Sequence, residues 1–224
     1  MADVAESPVQ NRVAPVESGI APRRQTDRRS VDMQIISDWI EPGSRVLDLG
    51  CGRGVLLEYL MRKKSVFGVG VDIDPIKVLG CLRKGVNAYH GDLFELMKSF
   101  PDKFFDRTIC SRTLQELNNP AAIVLEALRV SRFVTVGFVN YAFWKNRLSL
   151  LRSGSRIRNE VYPAEWYASR TAHPVSVAEF EHYCLVENIR IVRKVYLAGD
   201  WKSRCNFLPN LFCGHAIYDL QKET

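Results

Sequence analysis

The chain has 224 residues, with 31 Lys+Arg against 25 Asp+Glu, a formal net charge of +6 and 46% hydrophobic residues. That length suits one domain and the composition is that of a globular protein, which excludes disorder throughout. No apolar run approaches the ~20 residues that span a bilayer, and the mild positive balance permits nucleic-acid binding without requiring it. Six cysteines (Cys51, Cys81, Cys110, Cys184, Cys205, Cys213) form no CxxC, and no secretory signal precedes them. Reduced thiols in a cytoplasmic protein are therefore expected.

From Met1 to Arg29 the sequence is rich in Ala, Pro, Ser, Gln and Arg and carries no aromatic residue. It lacks the apolar material to offset its ordering entropy, so residues 1–29 read as a disordered leader and 30–224 as a single domain. The arginine pairs Arg23-Arg24 and Arg28-Arg29 are not followed by an apolar segment, which argues against an export signal. Val31, Ile35, Ile36, Trp39 and Ile40 recur at helical spacing up to Pro42-Gly43. Short apolar runs then alternate with helical patterns. Strands are predicted at Arg45–Leu49, Val66–Val71, Val86–Tyr89, Phe105–Cys110 and Phe133–Val139, and helices at Val55–Arg62, Pro75–Lys84, Leu93–Phe100 and Ala121–Val130. Asp74 is placed to cap the second of these, with proline at its first position. Ser176-Val177-Ala178-Glu179 is a capping-box sequence opening a helix to about Val186. Ile189–Tyr196 and Ala216–Leu220 are predicted as closing strands. Continuous apolar strands alternating with helices predict a doubly wound α/β domain, its mostly parallel seven-stranded sheet covered by helices on both faces.

The first strand runs into Asp48-Leu49-Gly50-Cys51-Gly52-Arg53-Gly54, a glycine-rich turn opening a helix. Such turns let a ligand approach the backbone at the carboxyl edge of an open sheet. An acid about twenty residues on is the expected ribose partner, and Asp72 ends the second strand. Asp48 narrows the choice of nucleotide. A carboxylate just ahead of the glycines repels a pyrophosphate but favours the ammonium of S-adenosylmethionine (SAM), which has no phosphate and carries two cationic groups. Asp48-x-Gly50-x-Gly52-x-Gly54 resembles the first motif of class I SAM-dependent methyltransferases. Gly70-Val71-Asp72-Ile73-Asp74 resembles their second, with the acid on the ribose hydroxyls and the following apolar residue on adenine. Gly91-Asp92-Leu93 resembles the third, with Asp92 near the adenine amino group. Ser111, at the exit of the fourth strand, is expected on the sulfonium side. The set implied for SAM or S-adenosylhomocysteine is thus Asp48, Gly50, Cys51, Gly52, Gly54, Asp72, Ile73, Asp92, Leu93 and Ser111. Helix capping is the competing role for Asp74 and Asp92.

Ser111-Arg112-Thr113-Leu114-Gln115-Glu116, the segment around Trp144, Glu165-Trp166-Tyr167, His173, Pro209-Asn210-Leu211 and Ala216-Ile217-Tyr218 together resemble the methionine-biosynthesis protein MetW family, from about Val31 to the C-terminus. The resemblance implies a methyltransferase-like fold whose members act in methionine synthesis alongside a homoserine O-acyltransferase. The sequence departs from the family pattern at Arg53, at Ala142-Phe143 before Trp144, at Ser169-Arg170-Thr171-Ala172 and at Cys213-Gly214.

Two functions compete. The first is a SAM-binding partner protein that supports a homoserine O-acyltransferase, with the acid-free basic stretch Lys145, Arg147, Arg152, Arg156 and Arg158 as a candidate contact. The second is a SAM-dependent O- or S-methyltransferase acting on a small molecule, with His173 or Tyr141 as candidate base. No Asn/Asp-Pro-Pro-aromatic signature follows the fourth strand, which argues against transfer to an exocyclic amine. Nucleic-acid methylation rests only on the charge balance, since the basic stretch lacks regularly interleaved aromatics. A zinc site from Cys205, Cys213 and His215 fails on spacing.

Overall fold

The computed structural model describes residues 23–154 and 173–222. Its elements are α1 (Arg23–Asp38), β1 (Arg45–Leu49), α2 (Val55–Lys64), β2 (Phe67–Asp72), α3 (Pro75–Leu82), β3 (Asn87–His90), α4 (Leu93–Lys98), β4 (Phe105–Ser111), α5 (Pro120–Val130), β5 (Ser131–Val139), α6 (Trp144–Ser153), α7 (Val177–Val186), β6 (Ile189–Leu197), α8 (Pro209–Phe212) and β7 (His215–Lys222). The seven strands form one sheet in the order β3-β2-β1-β4-β5-β7-β6. The first five strands are parallel, and β7 runs antiparallel between β5 and β6.

Burial explains why β1 lies near the middle. Val46, Leu47 and Leu49 have no exposed surface, as a strand covered on both faces requires. Leu47 and Leu49 pack into a core that includes Met97 of α4, Leu128 of α5 and Phe180 of α7. Val46 packs into the opposite core with Ile36 of α1, Leu57 and Leu60 of α2 and Cys81 of α3. The two-residue period of a strand therefore puts Asp48 on the α1–α2 side, at the carboxyl end of β1. Local capping matches the residues read for it. Asp74 accepts from Ile76 N–H at 2.9 Å, and Ser176 and Glu179 form a reciprocal capping box on α7.

Three features go beyond what the sequence marks. Helix α1 begins at Arg23, inside the stretch 1–29 read as a leader; residues 1–22 lie outside those described. Helix α6 occupies what the sequence marks only as a basic stretch; none of its residues is buried, and Leu151 is 84% exposed. Its sequence thus lacks the core-facing stripe by which helices are recognised. The reversal of β7 places Asp219 between two cations: Arg107 of β4 meets it in a buried ion pair, and Arg193 Nη2 lies 2.7 Å away. Among the described residues no helix is long and apolar enough to cross a membrane. All six cysteines are buried and unpaired with one another by disulfide.

Candidate functional site

The carboxyl ends of β1, β2 and β4 open into a cavity of about 1680 Å³. The glycine turn forms part of its wall. Gly50 takes φ 72° and Gly52 φ 58°, left-handed values that most side chains resist. Gly50 and Cys51 donate their N–H groups to Val71 O at 2.8 and 3.0 Å, which fixes the turn to β2. A Cβ on Gly50 would overlap the Thr113 side chain, whereas one on Gly52 would meet no protein atom within 4 Å. Gly50 is therefore required by packing, and Gly52 leaves open space in the cavity wall.

Asp72 holds the next position. Its Oδ2 accepts from Gly52 N–H and its Oδ1 from Asp74 N–H, both at 2.9 Å, with Lys77 Nζ at 3.7 Å. Each carboxylate oxygen retains acceptor capacity, so a fixed carboxylate faces the cavity ready for hydroxyl donors. Beyond it Ile73 is 69% exposed and offers an apolar platform on the cavity wall. Asp92 caps α4, its Oδ1 accepting from Phe94 N–H at 2.8 Å and Glu95 N–H at 3.1 Å, and it also lines the cavity beside Leu93. Capping and cavity lining thus coexist in one residue.

Electrostatically the deep wall is acidic. Burial, and then the nearby charge of Asp72, push the Asp48 carboxyl from 3.8 up to about 7. Burial and the Asp48 charge also push the Cys110 thiol up to about 12, and they raise Cys51 further, so these thiols stay protonated. A cationic ligand relieves this accumulation of carboxylates; a phosphate worsens it.

Ser111 at the end of β4 lines the same cavity, as do Asp48, Gly50, Cys51, Gly52, Asp72, Ile73, Asp92 and Leu93. Gly54 does not: a Cβ there would lie 3.0 Å from Cys81 Sγ, so this glycine permits packing of the turn against α3. Neither candidate base reaches the cavity wall. Tyr141 donates its backbone N–H to Val175 O at 3.0 Å. His173 lines a separate space of about 270 Å³ with Gln115, Phe180 and Tyr183. Arg156, Arg158 and Glu165-Trp166-Tyr167 lie outside the described residues. Asp32, Arg112 and Trp201 also line the large cavity, although the sequence marks none of them as a site residue. Arg112 stands within the hexapeptide that opens the family resemblance, and nothing local marks the other two.

The fold and the cavity at its carboxyl edge define the class of SAM-dependent methyltransferase-like α/β proteins. A solved SAM-dependent methyltransferase from Archaeoglobus fulgidus superposes with TM-score 0.63 at 17% identity, covering 89% of this chain and 94% of that one. The chain belongs to the family described as methionine biosynthesis protein MetW, whose model matches residues 30–220. It is 33% identical over 209 residues to the bifunctional methionine biosynthesis protein MetXA/MetW of Rhodopirellula baltica, which covers 87% of this chain but only 33% of that relative. A ubiquinone biosynthesis O-methyltransferase from Hahella chejuensis is 33% identical over 95 residues, 41% of this chain and 40% of that relative. The chain thus spans less than half the length of each of these two curated relatives.

Proposed function

We propose that this chain binds SAM in the large cavity and acts in methionine biosynthesis by direct contact with a homoserine O-acyltransferase. The cofactor part is carried by one observation: buried Asp48 and Asp72 flank an open glycine turn, at the carboxyl ends of adjacent strands. Asp72 is placed for the ribose hydroxyls and Asp48 for the cationic end, with Ile73 and Leu93 along the adenine and Asp92 at its amino group. Bound SAM supplies a methyl group activated on a sulfonium. The protein's residues orient the nucleoside and neutralise its cations.

The partner part is supported by the name of the R. baltica relative, which joins MetXA and MetW in one bifunctional chain. Tethering two modules raises their effective concentration for each other, as a functional association requires. Helix α6 is the candidate contact on the described surface. It presents exposed Leu148, Leu150 and Leu151 beside Lys145, Arg147 and Arg152, with no acid in the helix. Exposed apolar and arginine side chains on one element suit a protein interface with an acidic rim. The test is copurification with a tagged chain from the native host. An acyltransferase in the eluate that is lost on Arg152→Glu, with SAM affinity unchanged, supports this reading. No complex between the purified proteins at micromolar concentration refutes it.

A second reading, an O- or S-methyltransferase for a small molecule, is favoured by the extent of the cavity. It continues past Ser111 to Glu116, Asn118 and Ile123, beyond the space between the glycine turn and Asp72. Methyl transfer from labelled SAM to a host metabolite extract, in the absence of any partner, favours it over the first.

A further inference from the structure

Two sulfurs meet behind the glycine turn. Cys51 Sγ, from the turn, lies 3.8 Å from Cys81 Sγ of α3, a residue 30 positions further on. A disulfide bond needs about 2 Å, so the thiols are in contact but short of a bond. Glycines make the room for them. A Cβ on Gly70 would lie 2.6 Å from Cys51 Sγ, and one on Gly54 would lie 3.0 Å from Cys81 Sγ. The contact is therefore built from the turn, β2 and α3 together. Among the described residues no group of three or more His, Cys, Asp or Glu could hold a metal ion, so metal binding does not account for the pair.

The two thiols differ in access. Cys51 is 8% exposed and lines the large cavity, whereas Cys81 has no exposed surface. A reagent entering the cavity thus meets Cys51 first, with Cys81 directly behind it. Burial, and then the charge of Asp48, hold the Cys51 thiol protonated, and burial does the same for Cys81. Exchange with a small disulfide is slow for such thiols, so the pair rests reduced and answers to lasting oxidation.

Oxidation reaches the ligand wall through one residue, Gly52. Cys81 S–H donates to Gly52 O at 3.2 Å, while Gly52 N–H donates to Asp72 Oδ2 at 2.9 Å. A disulfide removes the thiol hydrogen that Gly52 O accepts. It also draws Cys51, the chain neighbour of Gly52, toward α3. The turn then loses the shape in which Gly52 leaves open space with Asp72 fixed beside it.

We propose that Cys51 and Cys81 form a reversible disulfide that closes the glycine turn to a nucleoside. The oxidant is a low-molecular-weight disulfide. The Cys51 sulfur gives up its proton and attacks one sulfur of that reagent, whose other half takes up a proton and leaves as a thiol. The Cys81 sulfur, deprotonated in turn, attacks the Cys51 sulfur of the mixed disulfide and expels the remaining half as a second thiol. The cysteines lose two electrons and two protons, and the reagent gains both. Formation of the bond is independent of what fills the cavity, whereas its effect on a nucleoside rests on the cofactor reading above.

Hydroxyethyl disulfide applied to the folded full chain, followed by alkylation in denaturant and peptide mass mapping, tests the pair. Wild type should lose two of its six free thiols and yield a peptide linking Cys51 to Cys81. Affinity for S-adenosylhomocysteine, read by calorimetry, should fall at least about tenfold in the linked protein and return with dithiothreitol. Saturating S-adenosylhomocysteine should slow the linking, since a nucleoside on the turn covers Cys51. Cys81→Ser keeps a hydroxyl donor for Gly52 O, so its untreated affinity should stay within about twofold of wild type while no link forms. Should Cys81→Ser fail to fold, Cys81→Ala takes its place, and the wild-type peptide map decides without either. The proposal is overturned if folded wild type yields no Cys51–Cys81 peptide, or if the linked protein binds the nucleoside as tightly as the reduced one. It is equally overturned if Cys51 links to another cysteine in Cys81→Ser as readily as it links to Cys81 in wild type. Failure of the cofactor reading looks different: reduced wild type then binds no nucleoside, and the peptide map alone decides the pair.

Discussion

Replacing Asp48 by Asn tests the electrostatics of the site without ligand. The carboxyl is buried, and burial with the charge of Asp72 raises it from 3.8 to about 7. Because the folded value lies above the unfolded one, the group's contribution to stability is fully present below about pH 4 and is lost as pH rises through about 7. A gap of one pH unit between the folded and unfolded values is worth about 1.4 kcal/mol, so a gap of roughly three amounts to about 4 kcal/mol over the whole window. The stretch from pH 5 to pH 7 covers about two-thirds of that window, so about 3 kcal/mol is lost there. Asn is nearly isosteric and cannot ionise, so the variant lacks this loss. Urea unfolding of both proteins at pH 5 and pH 8 gives the quantity directly. The stability of Asp48→Asn minus that of wild type should grow by about 3 kcal/mol over the interval, titrating groups that do not interact with Asp48 cancelling in the difference. A difference that stays constant within about 0.5 kcal/mol refutes a buried carboxylate forced to ionise near neutrality. A cationic ligand should favour the ionised form, so SAM binding near pH 7 should release protons, measurable as a buffer-dependent enthalpy.

Asp72→Ala should weaken SAM binding by about 1.5–3 kcal/mol, the loss of hydrogen bonds to a charged acceptor, as read by calorimetric titration. Gly50→Ala and Gly52→Ala should separate packing from binding. The first sets a Cβ into Thr113 and should lower unfolding stability by more than about 2 kcal/mol, whereas the second should cost about 1–2 kcal/mol of backbone strain and weaken SAM as well. Asn140 ties β5 to its neighbours, its Nδ2 donating to Cys213 O at 2.8 Å and Asn210 O at 3.1 Å while its Oδ1 accepts from Ala142 N–H at 3.1 Å. Asn140→Ala should therefore cost about 2–3 kcal/mol in urea unfolding, since it strands buried Cys213 O and two half-buried backbone groups.

The glycine turn, Asp72 and the parallel strands are legible in the sequence because each is a local pattern. β1 reads as a buried strand from its own residues, and the acid that ends β2 stands at a fixed spacing from the turn. Gly54 belongs to the same pattern, yet its neighbour is Cys81 of another helix, and no local signal separates a packing glycine from one that meets a ligand. The Asp32–Arg112 pair joins residues 80 positions apart, and Trp201 comes from a loop beyond β6. Such a cluster exists only once the sheet order brings α1, the exit of β4 and that loop together. The antiparallel insertion of β7 is non-local in the same way, because Asp219 meets Arg107 and Arg193 only through that topology. Helix α6 escapes for the opposite reason: it is local, but its apolar residues are exposed and leave no amphipathic signature facing a core.

The central claim is that the cavity at the carboxyl edge takes SAM, held by acids on adjacent strands. Calorimetric titration of the wild-type chain with SAM, and separately with NAD, tests it most directly. One molecule of SAM bound per chain, displaced by S-adenosylhomocysteine and with no heat from NAD, is the predicted result. Saturable binding of NAD, or no binding of SAM at millimolar concentration by folded protein, contradicts it.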